Sequence, residues 1–122
     1  MMTRATLQKF SLINPPSFAL QREKEVQKKY NIVMKDKERM NNFLEGVKRE
    51  LETGKFYLTE NNFPYLTEKG IKHLVCWYKD CDPCMIQKEL QTKFDVITCW
   101  KNKPANCSIL EINHIHVFIS IN

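Results

Sequence analysis

The C-terminal run ILEINHIHVFISI, residues 109–121, constrains the fold of the 122-residue chain more than any other feature of its sequence. Successive side chains of a β-strand point to opposite faces, so the alternation places an aliphatic set on one face: Ile115, Val117, Ile119 and Ile121. The opposite face carries His114, His116, Phe118 and Ser120. Because an aliphatic sheet face must be buried against another layer, the run predicts a strand whose aliphatic side packs on helices.

Apolar spacing elsewhere in the chain predicts the remaining elements. Two charged helices with a joint near residues 31–35 are predicted in the first half, and the second of them has its apolar stripe within residues 37–51. Strands are predicted at residues 55–59, 71–78 and 95–100, with a short helix beginning at Pro83 after an Asp82 N-cap.

These elements predict a single α+β domain over residues 1–122. Its N-terminal helical pair is expected to pack on one face of a small, mostly antiparallel sheet, together with one further short helix. Residues 1–16 end in a Pro-Pro break and are predicted to form an irregular N-terminal extension.

The net charge of +5 is unevenly distributed along the chain. Residues 1–55 contain twelve Lys and Arg against seven Asp and Glu, whereas residues 56–122 contain seven of each. Such an excess often only solubilises one face, but it also predicts a patch for a polyanion such as nucleic acid. The candidate phosphate contacts are Arg22, Lys24, Lys28, Lys29, Lys35, Lys37 and Arg39.

The non-aliphatic sheet face is the second candidate site. His73 and Trp77 share a face of their strand, so one sheet would bring them near His114 and His116, with Trp100 as a further neighbour. One interpretation is packing, in which cross-strand aromatic pairs stabilise the sheet by about 0.2–1 kcal/mol each. A second is a platform on which bases stack, at roughly 1–3 kcal/mol per base.

A third interpretation of the same face is catalysis with histidine as general acid or base. The sequence has no recognisable nucleophile motif, no Gly-rich phosphate loop and no second His-x-His. A binding protein is therefore favoured over an enzyme, and no cofactor is predicted.

The five cysteines define an alternative function. An odd number without a signal peptide favours reduced thiols in an intracellular, soluble protein, and no apolar run approaches the roughly 20 residues that span a bilayer. Cys81 and Cys84 form a Cys-x-x-Cys at a helix start, which locally resembles the thioredoxin active site, although the strand–helix–strand unit that precedes it in thioredoxins is missing. A zinc site from Cys76, Cys81, Cys84 and a histidine is a further alternative.

Several short motifs follow one another in the second half of the chain: Phe63-Pro64-Tyr65, Gly70-Ile71-x-His73, Trp77, Trp100-x-Asn102-x-Pro104 and His114-x-His116-Val117. Together they resemble a domain family found in fungi and in large DNA viruses. The resemblance covers roughly residues 20–120 and implies that His73, Trp77, Trp100, Asn102, His114 and His116 belong to one motif set. It also implies a viral protein in the host cytoplasm, at the replication site or packaged in the virion. The Cys-x-x-Cys lies outside the family pattern, and the family offers no activity to carry over.

The sequence thus predicts a small protein that binds single-stranded RNA or DNA, with no membrane partner. The basic helices would contact phosphates, and the His/Trp face with Asn102 would contact bases. The alternatives are a thiol–disulfide or zinc-dependent protein using Cys81 and Cys84, and a module that binds a viral or host protein.

Overall fold

The computed structural model describes residues 1–121. Within this range four helices are formed: α1 (Arg4–Leu7), α2 (Lys24–Lys35), α3 (Lys37–Thr53) and α4 (Pro83–Gln91). The strands are β1 (Phe56–Glu60), β2 (Ile71–Tyr78), β3 (Asp95–Trp100) and β4 (His114–Ser120), and a 3₁₀ turn spans Pro104–Asn106. None of the helices in residues 1–121 combines the length and the apolar character needed to cross a membrane. The predicted α+β class is confirmed.

The four strands form an antiparallel sheet in the order β1-β2-β4-β3. β4 lies between β2 and β3, so its side chains meet partners on both sides. The register pairs His73 with Phe118, Val75 with His116, Trp77 with His114, and Trp100 with His116. Because paired residues share a face, the sheet gathers the predicted histidines and tryptophans on one side.

The opposite, aliphatic face is covered by α4. Ile86 and Leu90 of this helix share a buried cluster with Ile115 and Val117 of β4. Pro83 lies in the first turn of α4, and the Asp82 side chain accepts a hydrogen bond from the Cys84 amide at 2.9 Å, as the sequence predicts. Ile121 differs from the prediction, since it follows the end of β4 and is 60% exposed.

The histidine-bearing face is also covered, which the sequence analysis did not predict. Leu44 and Val47 of α3 form a buried cluster with Val75 and Trp77 of β2. α2 has no buried residue and contacts α3. The packing of the helices as a pair on one sheet face therefore stays a prediction, while α3 itself lies against the side that carries Trp77.

The N-terminal segment, predicted as an irregular extension over residues 1–16, contains the four-residue α1 as its regular element and packs on the same face. Leu7 is fully buried in a cluster with Trp100 and Phe118. Backbone hydrogen bonds join the Met2 amide to the Leu66 carbonyl and the Glu68 amide to the Met2 carbonyl, each at 2.9 Å. The four-residue α1 is too short to produce a periodic signal, and its stability comes from tertiary packing.

The joint between the charged helices lies at Asp36, one residue beyond the predicted interval. Asp36 ends α2 and caps α3, and its side chain accepts a hydrogen bond from the Arg39 amide at 3.1 Å. Its backbone is extended, so the helix direction changes there and the two helices do not fuse. This break places α2 beside the loops that follow β1.

Candidate functional site

A cleft of about 480 Å³ lies over the histidine-bearing face. Its walls come from α2, α3 and two loops, residues 61–65 and 102–109, and its floor includes Trp77, His114 and His116. The volume falls within the range of about 300–1,000 Å³ that is typical of small-molecule sites. The cleft is therefore large enough to enclose a planar ring.

The floor of the cleft is tied together by a chain of hydrogen bonds. The Tyr65 amide donates to His73 Nδ1 at 3.1 Å, and His73 Nε2 lies 2.8 Å from His116 Nδ1. His116 Nε2 lies 3.0 Å from Asn102 Nδ2, and Asn102 Oδ1 accepts from Trp100 Nε1 at 2.9 Å. Four of the six predicted motif residues thus form one continuous network.

The network is buried, and this overturns the prediction of an open stacking platform. Trp100 is fully buried, while His73 and Trp77 are each 3% exposed. Tyr65 stacks over His73 with 4.6 Å between ring centroids, and Phe10 packs edge-on against Trp100 at 5.6 Å. Because other side chains already cover these rings, His73 and Trp100 support the floor and have no free face for a base.

Burial also determines the charge of the histidines. It lowers the pKa of His73 well below its usual value, and the neighbouring His116 and Arg22 lower it further. Burial, with smaller contributions from His114 and Arg22, lowers the pKa of His116 to about 3. The pKa of His114 is lowered by burial, although its hydrogen bond to the Ile112 carbonyl partly opposes this. All three imidazoles are therefore neutral at pH 7.

Arg22 supplies a positive charge to the wall of the cleft. Its guanidinium carbon lies 4.0 Å from the ring centroid of Tyr30 and 4.8 Å from that of Tyr65. Nε donates to the Phe63 carbonyl at 2.7 Å, and Arg22 has no ion-pair partner within residues 1–121. Its terminal nitrogens make no hydrogen bond in that range, so they can donate to an anion.

The other basic candidates divide between the cleft and the outer surface. Arg39 also lines the cleft. The remaining five are exposed on α2 and α3, outside the lining of the cleft: Lys24, Lys28, Lys29, Lys35 and Lys37. Of these, Lys28 forms an ion pair with Glu25 at 3.5 Å. The structure therefore joins only Arg22 and Arg39 to the predicted sheet residues.

The aromatic walls of the cleft were missed as site residues. Tyr30, Phe63 and Tyr65 hold Arg22 in place, and none of the three is among the predicted site residues. The available signal was the Phe63-Pro64-Tyr65 motif of the family resemblance. Its role is visible only when the loop folds back over His73.

The predicted cysteine sites are not assembled around the cleft. Cys81 packs against the cluster on the aliphatic face, where Cys76 and Cys99 are fully buried, and burial raises the pKa of each of those two thiols to about 12. The sheet separates Cys76 from His73, so these two residues cannot share a zinc ion. No group of three potential metal ligands occurs within residues 1–121.

Cys81 and Cys84 are free thiols at the start of α4. The Asp82 carboxylate caps the Cys84 amide, so a negative charge already occupies the helix end that would stabilise a thiolate. Both thiols lie on the side of the sheet opposite the cleft.

Comparison with known proteins shows a similar fold in one solved structure. No family model and no curated protein matches the sequence. A structure described as "Crystal Structure of HTC1" is similar over 84% of this chain and 77% of that chain, with a TM-score of 0.65 and 21% sequence identity. At this identity the likeness shows the fold alone.

Proposed function

We propose that the protein binds single-stranded nucleic acid, RNA or DNA, and that the cleft receives one nucleotide of the strand. The observation that carries the proposal is the Arg22 guanidinium held between Tyr30 and Tyr65 at the wall of the cleft. A stacked guanidinium with unbonded terminal nitrogens is preorganised to bind phosphate oxygens.

The shape and lining of the cleft favour a nucleotide from a single strand. Phe43 and Phe63 line the walls, so a planar base entering the cleft meets aromatic surface. A base inside a duplex is stacked and paired, and reaching this floor would require it to leave the helix. We therefore expect single strands to bind more tightly than duplexes.

The exposed lysines of the two charged helices extend the proposed interface. Lys24, Lys29, Lys35 and Lys37 are solvent-exposed, and none of them forms an ion pair within residues 1–121. Phosphates on either side of the bound nucleotide would contact them and release counterions. We propose that α2 and α3 act together, as a pair packed over one sheet face, to close the cleft.

Membership of the domain family of fungi and large DNA viruses is part of the proposal. It is supported by the six motif residues, which share one sheet face and its adjoining loop. A viral protein in the host cytoplasm, at the replication site or in the virion, fits a single-strand-binding role. A viral or host protein partner would then bind outside the cleft.

Fluorescence anisotropy with a labelled oligouridine of about 12 nucleotides tests the proposal. We expect binding at about 50 mM salt that weakens steeply toward about 200 mM, with weaker binding to a duplex of equal length. Arg22→Gln should reduce affinity about tenfold, because it removes a charge-assisted contact to phosphate.

Lys93→Gln is the matched control, since it also removes one positive charge but lies beyond α4, on the other side of the sheet. It should leave affinity within about twofold of the parent protein. Absence of binding at low salt, or equal losses for Arg22→Gln and Lys93→Gln, would contradict the proposed function.

A further inference from the structure

Most polar groups on the floor of the cleft are already bonded to other groups of the protein. The Asn102 amide directs its hydrogens to the Tyr65 hydroxyl at 3.0 Å and to the Asn106 carbonyl at 3.4 Å. The two ring nitrogens of His116 face His73 Nε2 at 2.8 Å and Asn102 Nδ2 at 3.0 Å. These groups therefore hold the floor together and are not available to a ligand.

His114 differs from the rest of the floor. Its Nδ1 lies 3.0 Å from the Ile112 carbonyl, which can only accept, so Nδ1 carries the proton and Nε2 is an acceptor in the neutral ring. Nε2 has no partner within residues 1–121, although the residue is only 9% exposed. In that range no fully buried side-chain nitrogen or oxygen lacks a partner, so Nε2 opens to the cleft that His114 lines.

The surroundings of His114 keep its ring neutral. Burial lowers the pKa of His114, the bond to the Ile112 carbonyl partly opposes this, and the positive charge of Lys101 lowers the pKa further. The Lys101 ammonium is held beside the ring by its hydrogen bond to Asn113 Oδ1 at 2.9 Å. The Trp77 ring packs against the imidazole with 4.7 Å between centroids. His114 Nε2 is thus a fixed neutral acceptor and does not attract an anion.

An acceptor of this kind requires a donor from whatever fills the cleft. Phosphodiester oxygens are themselves acceptors, so a phosphate at His114 would displace water from Nε2 and leave its lone pair unsatisfied. The terminal nitrogens of Arg22 are donors without a partner within residues 1–121, so they suit a phosphate. The part of a nucleotide that faces His114 must instead carry a neutral N–H or O–H.

The aromatic walls determine which part of a nucleotide reaches the floor. Phe43 and Phe63 belong to the walls, whereas His114 belongs to the floor. A base stacked on a wall ring lies along the wall, so its edge and not its face points at the floor. The Watson–Crick edge lies away from the glycosidic bond, and it is the edge by which enclosed sites read an unstacked base. With this edge inward, the sugar and the phosphate stay toward the mouth of the cleft.

We propose that His114 Nε2 accepts a hydrogen bond from the Watson–Crick edge of the bound base, and that this contact requires an unpaired base without selecting among the four. Adenine and cytosine carry an amino donor on this edge, and guanine, uracil and thymine carry a ring N–H. One acceptor is satisfied by either kind of donor, so keto and amino bases should bind alike. In a duplex the partner base occupies the same edge. The inference rests on the proposed function and names the group of the ligand that the cleft recognises.

Nitrogen-15 NMR of the imidazoles tests the acceptor directly, since the chain contains only three histidines. At pH 7 we expect a neutral His114 ring with its proton on Nδ1, and a change in the Nε2 shift when oligoadenosine is added. A proton on Nε2, or an imidazolium at this position, would overturn the inference whatever the protein binds.

Removing the donor from the ligand is the sharpest binding test. Oligomers of about 12 nucleotides of adenosine and of purine riboside differ only by the 6-amino group, which purine riboside lacks. In fluorescence anisotropy the purine riboside oligomer should bind about tenfold more weakly. Oligouridine and oligocytidine should bind within about threefold of oligoadenosine. Equal affinity of the adenosine and purine riboside oligomers would overturn the inference and leave the proposed function standing.

The ribose 2′-hydroxyl is the other neutral donor of a nucleotide, and a DNA oligomer distinguishes it from the base. Oligodeoxyadenosine lacks this hydroxyl and should bind within about threefold of oligoadenosine. If the deoxy oligomer binds about tenfold more weakly while the purine riboside oligomer does not, the donor is the sugar and the assignment to the base is wrong.

His114→Phe removes the acceptor and keeps a planar ring beside Trp77. The variant should bind oligoadenosine about tenfold more weakly than the parent protein does, yet bind the purine riboside oligomer with unchanged affinity. Equal losses for both oligomers would show a merely structural role and would overturn the inference. The comparison of oligomers on the parent protein decides the question even if this variant fails to fold. Absence of binding by every oligomer at low salt would overturn the proposed function as well.

Discussion

His116 shows how burial converts an ordinary side chain into a fixed donor. It lies in the central strand β4, paired with Val75 of β2 on one side and Trp100 of β3 on the other. Burial at this position lowers the pKa of the imidazole and keeps the ring neutral. A neutral imidazole has one donor and one acceptor nitrogen, and the Tyr65 backbone decides through His73 which is which. Proton placement at the cleft floor thus follows from a backbone contact two residues away in the network.

The buried histidines make stability dependent on pH. In the unfolded chain each has a pKa near 6.5, so it binds a proton as the pH falls, while the folded protein, with its lowered pKa values, does not. Protonation therefore favours unfolding, and the free energy of unfolding should decrease from pH 7 toward pH 5. His116 alone, with its pKa of about 3, should contribute a loss of about 2 kcal/mol at pH 5.

Urea unfolding at pH 7, 6 and 5 measures this dependence. The window lies above the usual range of carboxyl pKa values, so the histidines dominate the change. His116→Gln should reduce the slope of the unfolding free energy against pH by the equivalent of about one proton taken up on unfolding. A stability that stays constant between pH 7 and 5 would contradict the assignment of neutral buried histidines.

Among the elements, the N-terminal α1 is the one whose contribution to the buried core was least expected from the sequence. α1 is one turn long, yet Leu7 is fully buried beside Trp100 and Phe118. The Thr3 side chain accepts from the Thr6 amide at 3.2 Å and caps this turn. The segment therefore acts as part of the core layer over the end of the sheet.

Leu7→Ala tests this role of α1. Removing a fully buried leucine should lower the free energy of unfolding by about 2–5 kcal/mol, because it loses apolar burial and leaves a cavity against Trp100. Ile13→Ala is the matched control, since Ile13 is 93% exposed and should change stability by less than about 0.5 kcal/mol. Equal effects of the two substitutions in urea unfolding would show that the segment is not packed.

The whole molecule separates a charged side from a thiol-bearing side. The sheet has the cleft and α3 on one face, and α4 with the buried cysteines on the other. Long-range attraction of a polyanion and local recognition of a base would thus act at the same face. This arrangement lets the two contributions be measured separately.

The double variant Lys29→Gln with Lys35→Gln tests the long-range contribution. Each lysine that contacts a phosphate adds about 0.7 to the slope of log affinity against log salt for a single strand, so the slope should become shallower by about 1.4. Lys88→Gln with Lys93→Gln, on the α4 side, should leave the slope unchanged, and an equal reduction there would contradict a defined interface.

Local sequence determined the elements and their faces. β2 and β3 occupy the predicted residues 71–78 and 95–100, and Asp82 caps α4 as expected. These features depend on alternation, apolar spacing and caps, all of which involve residues close together in the chain. The same alternation put His114 and His116 on one face of β4, opposite the aliphatic set.

Only the tertiary structure decided what covers the histidine-bearing face. The cleft depends on contacts such as Arg22 with Phe63, 41 residues apart, and His73 with His116, 43 residues apart. Loops such as residues 61–65 have no hydrophobic periodicity, and α1 is too short to show one. The spacing of apolar residues therefore predicted neither of these two segments that cover the face. The predicted platform is closed because the chain buries its remaining apolar surface, including Leu7 and Tyr65, against the rings that alternation had placed there.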